Sequence, residues 1–134
     1  MKTEFLRYKK LWLLIGLMMI VFVITETLTS SPIDTGVEVS DKILHTAGYF
    51  VLMGWFVQIF HGRKHQLLLA AGFVSMGIVL EFLQGWGGVR QYEVADMLAN
   101  ASGVALAWLL SLTRFIYALL WFEKVVSRQN TTRN

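Results

Sequence analysis

Polar side chains that can bind ligands or transfer protons recur at helical spacing beside apolar runs of the sequence. Asp41, His45 and Tyr49 are each four residues apart, so on a helix they share one face over about 12 Å. Glu81 and Gln84 lie three residues apart and also share a face. Histidine exchanges protons near neutral pH, which makes His45 a candidate acid, base or ligand.

A third polar face opens the last long apolar run, where Asp96, Asn100 and Gly103 share one side of a helix. Arg90 precedes this set in the sequence. We expect Arg90 to pair with Asp96 or with Glu81, because guanidinium–carboxylate pairs have favourable geometry.

Composition indicates that membrane-spanning helices position these residues. The chain has 134 residues, of which 55% are hydrophobic, and its mean hydropathy is +0.54. A soluble domain is usually about 45–50% apolar. The absence of cysteine excludes disulfides and thiolate metal sites. No basic block indicates nucleic-acid binding.

We expect an all-α integral membrane protein, a four-helix transmembrane bundle in a single domain over residues 1–126. Each span needs roughly 20 residues, and the spans are predicted at about 11–27, 43–60, 66–84 and 94–113. No small-residue cleavage pattern follows the first apolar run, which favours an uncleaved helix over a signal peptide.

Polar residues 29–40, with the only proline, and the glycine-rich segment 85–88 are predicted as loops. Beyond the fourth span, residues 114–126 mix aromatic and charged side chains, which suits a helix extension at the membrane surface. Residues 127–134 are expected to be disordered.

The distribution of cations predicts the orientation of the helices. With both termini in the cytoplasm, as the positive-inside rule requires, all 12 Lys and Arg residues except Lys42 and Arg90 lie on the inner side. Of the 9 acidic residues, all except Glu4 and Glu123 lie in the outer half. We therefore expect the polar site to lie on the non-cytoplasmic side of the membrane.

Polar groups in hydrocarbon are costly unless they contact one another or water. We therefore expect the three polar faces to converge in a pocket that opens outward. Its candidate acid–base residues are His45, Glu81 and Asp96, although His45 and Glu81 could instead form structural interhelical hydrogen bonds. The candidate ligand-binding residues are Asp41, Lys42, His45, Tyr49, Glu81, Gln84, Arg90, Asp96 and Asn100.

Several of these side chains also have a structural interpretation. Asp41 and Asp96 suit helix N-termini, where a carboxylate accepts hydrogen bonds from free backbone N–H groups. Lys42 suits an interfacial lysine. Asn100 suits an interhelical hydrogen bond, and Tyr49 suits ordinary aromatic packing.

Other patterns predict packing rather than chemistry. Small residues recur at every fourth position in one stripe, which is typical of closely packed membrane helices: Ala95, Ala99, Gly103 and Ala107. Aromatic residues near the predicted span ends suit the interfacial belts: Trp12, Trp86, Tyr92 and Trp121.

The polar motifs together resemble those of the VanZ-like family of small multi-helix membrane proteins. The resemblance covers about residues 41–107 and depends on the order and spacing of three strings. These strings are Asp41-Lys42-x-x-His45-x-x-x-Tyr49, then Glu81-x-x-Gln84 with Arg90, then Asp96-x-x-x-Asn100-x-x-Gly103. The family's namesake is associated with resistance to the glycopeptide antibiotic teicoplanin. The resemblance therefore implies a protein of the bacterial cytoplasmic membrane with a role at the cell envelope.

The leading hypothesis is a membrane binding protein whose outer pocket engages an envelope lipid headgroup or a glycopeptide-type ligand. Lys42 and Arg90 would hold a phosphate, while Glu81 and Asp96 would hold hydrogen-bond donors. The expected partners are membrane lipids and a lipid-linked envelope precursor or glycopeptide.

Three alternatives stay open. The first is an intramembrane hydrolase or transferase acting on a lipid-linked envelope substrate, with His45 as acid or base and Glu81 or Asp96 orienting it. A small transporter is disfavoured because the acidic residues cluster near one surface and no inverted repeat is visible. A purely structural membrane partner is the third. No cofactor and no metal is expected, since carboxylates beside one histidine are common without a metal ion.

Overall fold

The computed structural model describes residues 5–29, 41–88, 91 and 93–131, and every regular element among them is helical. The all-α prediction is therefore confirmed for this part of the chain. The helices are α1 Lys9–Leu28, α2 Asp41–Val57, α3 Arg63–Trp86, α4 Val94–Leu110 and α5 Ala118–Thr131, with a 3₁₀ helix at Arg114–Tyr117. The following features of the sequence analysis lie outside the described residues: Arg90, Tyr92, most of the loop predicted at 29–40 and the last three residues of the tail predicted to be disordered, 132–134.

Two helices, α1 and α3, are long and apolar enough to cross a membrane. The α4 helix and the C-terminal helices meet that condition only when taken together, and they are bent by 80° at the break between them. The α2 and α4 helices have 17 residues each, or about 25 Å at 1.5 Å per residue. The described structure is thus compatible with a membrane protein.

Helix ends differ from the predicted spans where side chains or glycine alter the last turn. The α3 helix continues through Gly85 to Trp86, and the Gly87 N–H closes it by donating to the Leu83 carbonyl at 2.8 Å. The predicted glycine turn is therefore confined to the residues that follow. Gly88 has φ +67°, a backbone conformation that glycine adopts at little steric cost.

The C-terminal region also differs from expectation. The Thr113 hydroxyl accepts a hydrogen bond from the Phe115 N–H at 3.2 Å, which starts a new helical turn after α4 ends at Leu110. The α5 helix then continues to Thr131, so residues 127–131 are helical where disorder was expected. No glycine or proline interrupts α5, so nothing in its backbone stops the helix earlier.

The centre of the molecule is a close contact between α2 and α4 at Gly103. A Cβ added there would lie 2.9 Å from the Phe50 nitrogen and closer still to the Thr46 carbonyl oxygen. Ala99 and Ala107 of the predicted small-residue stripe are buried beside it, whereas Ala95, the first residue of the stripe, is exposed. Glycine at this position thus lets the two backbones approach and fixes how the polar faces of α2 and α4 meet.

A buried carboxylate on α5 anchors the start of α1. Glu123 accepts hydrogen bonds from the Arg7 N–H at 2.7 Å, the Tyr8 N–H at 2.9 Å and the Trp12 indole at 2.6 Å. These backbone groups precede the first helical turn and have no partner within the helix. Gln58 similarly accepts from the Leu119 N–H at 3.1 Å. The C-terminal helix is thereby attached to the opposite end of the chain.

Candidate functional site

The starts of α2 and α4 and the end of α3 lie together at one end of the molecule. Lys42 of α2 forms ion pairs with Asp96 of α4 and, at 2.5 Å, with Glu93 immediately before α4. The backbone N–H of Glu93 donates to Glu81 of α3 at 2.8 Å. One continuous set of polar contacts therefore joins three helices.

Among the described residues, the Lys42 ammonium is the cation that pairs with the carboxylates of this site. It donates hydrogen bonds to the buried Asp96 carboxylate and to Glu93, and these bonds raise the pKa of Lys42 above its ordinary value. Lys42 lies just outside the second predicted span, and it gives Asp96 the cation that we expected from Arg90. Arg90 itself lies outside the described residues.

Glu93 was not among the residues selected from the sequence. Its place directly before the fourth apolar run, three residues ahead of Asp96, is the signal that would have identified it.

His45 lies between two carboxylates and an amide. Its Nδ1 is 2.9 Å from Asn100 Oδ1. Its Nε2 is 3.7 Å from Asp41 and 3.8 Å from Asp96. Since the amide oxygen is an acceptor, Nδ1 carries the proton and Nε2 faces the two carboxylates. The Nε2 lone pair can therefore accept a hydrogen bond from a ligand or coordinate a cation.

His45 and its two neighbouring carboxylates form a group that could bind a metal ion. One ligand atom each from Asp41, His45 and Asp96 lie within 4.8 Å of one another. Imidazole nitrogen and carboxylate oxygen are ligands that Zn²⁺ accepts. Asn100 would hold the imidazole from its other nitrogen, as outer-shell partners of metal-binding histidines do. No metal was expected from the sequence, and these three residues are the described group that could hold one.

Two polar atoms deeper in the site are buried without hydrogen-bond partners among the described residues: Glu81 Oε2 and the Tyr49 hydroxyl. Glu81 is 1% exposed and Tyr49 is 2% exposed. A Cβ added at Gly77 would lie 3.3 Å from the Tyr49 hydroxyl and 3.1 Å from Asn100 Nδ2. Tyr49 and Asn100 thus converge over a glycine of α3. A buried polar atom without a partner costs about 1–3 kcal/mol of stability. This cost marks both atoms as candidates for binding a ligand.

Gln84 has a different environment from the rest of the predicted set. Its amide Nε2 donates to the Thr27 carbonyl near the end of α1. It therefore joins α3 to α1, although it shares a helical face with Glu81.

The structure thus brings most of the predicted residues to one end of the molecule. Those in direct mutual contact are Asp41, Lys42, His45, Asp96 and Asn100. Glu81 is linked to them through Glu93, and Tyr49 lies beyond Asn100 over Gly77.

Carboxylates outnumber cations in this site. Four acidic side chains face one lysine and one histidine among the described residues: Asp41, Glu81, Glu93 and Asp96 against Lys42 and His45. Such a surplus attracts ammonium groups, hydrogen-bond donors and metal cations, and it repels bare anions.

Comparison with known proteins adds no family or fold assignment. Neither a scan against protein-family models nor searches of curated proteins and solved structures found a match to this chain.

Proposed function

We propose that this chain is a VanZ-like membrane protein, a four-helix bundle with both termini inside, whose outward-facing polar site binds an envelope lipid headgroup or a glycopeptide-type ligand. The observation that carries the proposal is the Glu81 carboxylate. It is buried, adjoins the Lys42–Asp96 cluster through Glu93, and keeps one oxygen without a partner among the described residues.

The membrane part of the proposal is supported by α1 and α3, which are long and apolar enough to cross a bilayer. Large apolar side chains stay exposed on α1, among them Leu14, Leu17 and Val21. Exposed apolar surface of this extent suits lipid contact. The bias of cations toward the end opposite the site supports the orientation.

The charge of the site favours a ligand rich in hydrogen-bond donors. Lys42 is already paired with two carboxylates, so it is a weak candidate for holding a phosphate by itself. A primary amine, an amide or sugar hydroxyls would instead find an acceptor at Glu81, whose Oε2 has no partner among the described residues. Ethanolamine headgroups and the amino groups of glycopeptides have this chemistry.

A pair of lipids that differ in N–H donors tests this proposal. Purified protein in neutral detergent would be titrated with short-chain phosphatidylethanolamine, with the phosphatidylcholine analogue that lacks N–H groups, and with teicoplanin. We expect the ethanolamine lipid or the glycopeptide to bind more tightly than the choline lipid. The variants Glu81→Gln and His45→Gln should weaken binding about 10- to 100-fold, the effect of losing a hydrogen bond to a charged group.

The matched control is His65→Gln, the same substitution at the opposite end of α3. It should leave binding unchanged. Equal binding of ethanolamine and choline lipids without any glycopeptide binding would refute the proposal, as would equal losses in His45→Gln and His65→Gln.

The geometry around His45 also favours a second candidate, an intramembrane hydrolase or transferase acting on a lipid-linked envelope substrate. Asn100 fixes the Nδ1 proton, and Nε2 is then placed to accept a proton between Asp41 and Asp96. Incubation with lipid-linked envelope precursors should give turnover that His45→Gln abolishes, whereas the same substitution weakens binding only about 10- to 100-fold. Repeating the assay with a chelator would show whether the Asp41–His45–Asp96 set acts with a metal. Absence of turnover in the wild type would exclude the enzyme.

A further inference from the structure

A groove of about 540 Å³ lies between the N-terminal segment and α5. It is at the far end of α1 from the candidate site, because Arg7 lines the groove whereas Thr27 contacts Gln84. The 20 residues of α1 separate the two ends by about 30 Å. The groove is therefore a second, independent feature of the molecule.

Cations dominate the lining of this groove. Arg7, Lys124 and Arg128 line it together with one carboxylate, that of Glu123. Both oxygens of Glu123 already accept hydrogen bonds from N–H groups at the start of α1. The described lining thus has a positive surplus, and its carboxylate is occupied by donors.

The cations on α5 share one face of the helix. Lys124 and Arg128 are four residues apart, and Ser127 lies between them in the groove. Both cations are exposed, and both also interact within the chain. An incoming anion would share these cations and accept a hydrogen bond from the serine hydroxyl.

Apolar side chains rim the same groove. Phe5 is 80% exposed at its edge, and Leu120 contributes from α5. Trp121, the next residue on α5, is 67% exposed. The bend of 80° after α4 turns this helix across the end of the molecule instead of continuing the α4 axis. Cations beside exposed aromatic residues on such a helix are typical of the lipid headgroup region.

We propose that this groove binds the phosphate of an anionic phospholipid at the membrane surface opposite the candidate site. The guanidinium and ammonium groups hold the phosphate, and Phe5 and Leu120 contact the start of the acyl chains. The surplus of cations selects an anionic headgroup, and the apolar rim selects a lipid over a free ion.

Matched charge-removal variants test the proposal with the full-length protein in neutral detergent. Lys124→Gln/Arg128→Gln removes two groove cations, and Arg63→Gln/Lys64→Gln removes two exposed cations at the start of α3, outside the groove. Each preparation would be titrated with dioctanoyl phosphatidylglycerol, with dioctanoyl phosphatidylcholine and with inorganic phosphate. Helix content and the thermal midpoint would be measured for each variant.

We expect the groove variant to bind phosphatidylglycerol about 10- to 30-fold more weakly, since each surface cation contributes about 1 kcal/mol to contact with anionic lipid. The α3 variant should bind within about threefold of the wild type, and the conservative Lys124→Arg/Arg128→Lys should retain binding. Equal losses in the two charge-removal variants would overturn the proposal. Binding of phosphatidylcholine as tightly as phosphatidylglycerol would also overturn it, and inorganic phosphate binding as tightly as the lipid would assign the groove to free phosphate instead.

Discussion

Replacing Gly103 by alanine should separate α2 from α4 and disturb the polar cluster without touching any of its side chains. The added Cβ would lie 2.9 Å from the Phe50 nitrogen and still closer to the Thr46 carbonyl oxygen. Both are backbone atoms, so no side-chain rotation can relieve the overlap. The Thr46 contact is the closer of the two, so the helices must move apart by about 1 Å to reach an ordinary contact distance.

The size of the effect follows from two opposing contributions. Alanine is favoured over glycine within a helix by about 1 kcal/mol, whereas over-packing a closely packed contact costs about 1–3 kcal/mol. Gly48→Ala on α2 provides the matched control, because no atom lies within 4 Å of its added Cβ. We therefore expect Gly103→Ala to be less stable than Gly48→Ala by about 1–3 kcal/mol, the steric contribution alone.

Unfolding of both variants in mixed micelles of neutral detergent and SDS, followed by circular dichroism, would measure this difference. Ligand binding should also weaken in Gly103→Ala, because the distance between His45 and Asn100 depends on the contact between α2 and α4. Equal stability of Gly103→Ala and Gly48→Ala would refute the close backbone contact and the convergence of polar residues that depends on it.

Three other substitutions probe single contacts, each measured as the unfolding midpoint of the purified variant. Lys42→Met should destabilise the protein by leaving the Asp96 carboxylate unpaired, and Lys42→Met/Asp96→Asn should recover part of the loss in a double-mutant cycle. The pKa of Lys42 is raised in the folded protein, so its ion pair with Asp96 contributes its full stabilisation below about pH 10 and loses it as the pH rises through the folded-state pKa. Only proteins that retain Lys42 should therefore show this loss of stability at alkaline pH. Glu123→Ala should cost about 1–3 kcal/mol or more by removing the acceptor of three N–H groups, with Glu123→Gln costing less because it keeps one acceptor. Gln84→Leu should cost about 1 kcal/mol by removing the donor to the Thr27 carbonyl, with no change in the Lys42 pair.

Helical periodicity predicted which residues share a face, and the cost of polar groups in hydrocarbon predicted that the three polar faces converge. Neither predicted which individual side chains would be in contact. The i, i+4 spacing placed Asp41 with His45 and Asp96 with Asn100, and these pairs do lie at one end of the molecule. Gln84 shows the limit of the argument, since it shares a face with Glu81 yet donates to α1. Which partner a face meets depends on close approach between helices, and the sequence records that only indirectly in its small residues.

The partners of charged residues were harder to predict than their positions. Lys42 pairs with Asp96 because the packing of α2 on α4 brings their first turns together, and the sequence did not predict this pair. The predicted pairing of Arg90 with Asp96 or Glu81 stays a prediction, since Arg90 lies outside the described residues. The sequence did not predict the contacts of Glu123, because its backbone partners are main-chain N–H groups more than 110 positions earlier in the chain. A backbone donor leaves no signature in a sequence, so no pattern pointed to this contact.

Labelling of single cysteines at the two ends of the molecule tests the central claim most directly, since the chain has no cysteine of its own. Asp41→Cys reports on the polar site, and Lys64→Cys reports on the opposite end at the start of α3. With a membrane-impermeant maleimide, right-side-out vesicles should label Asp41→Cys alone, and inside-out vesicles should label Lys64→Cys alone. Labelling of both cysteines from the same side, or labelling with the opposite sidedness, would contradict an outward-facing site on a membrane-spanning bundle.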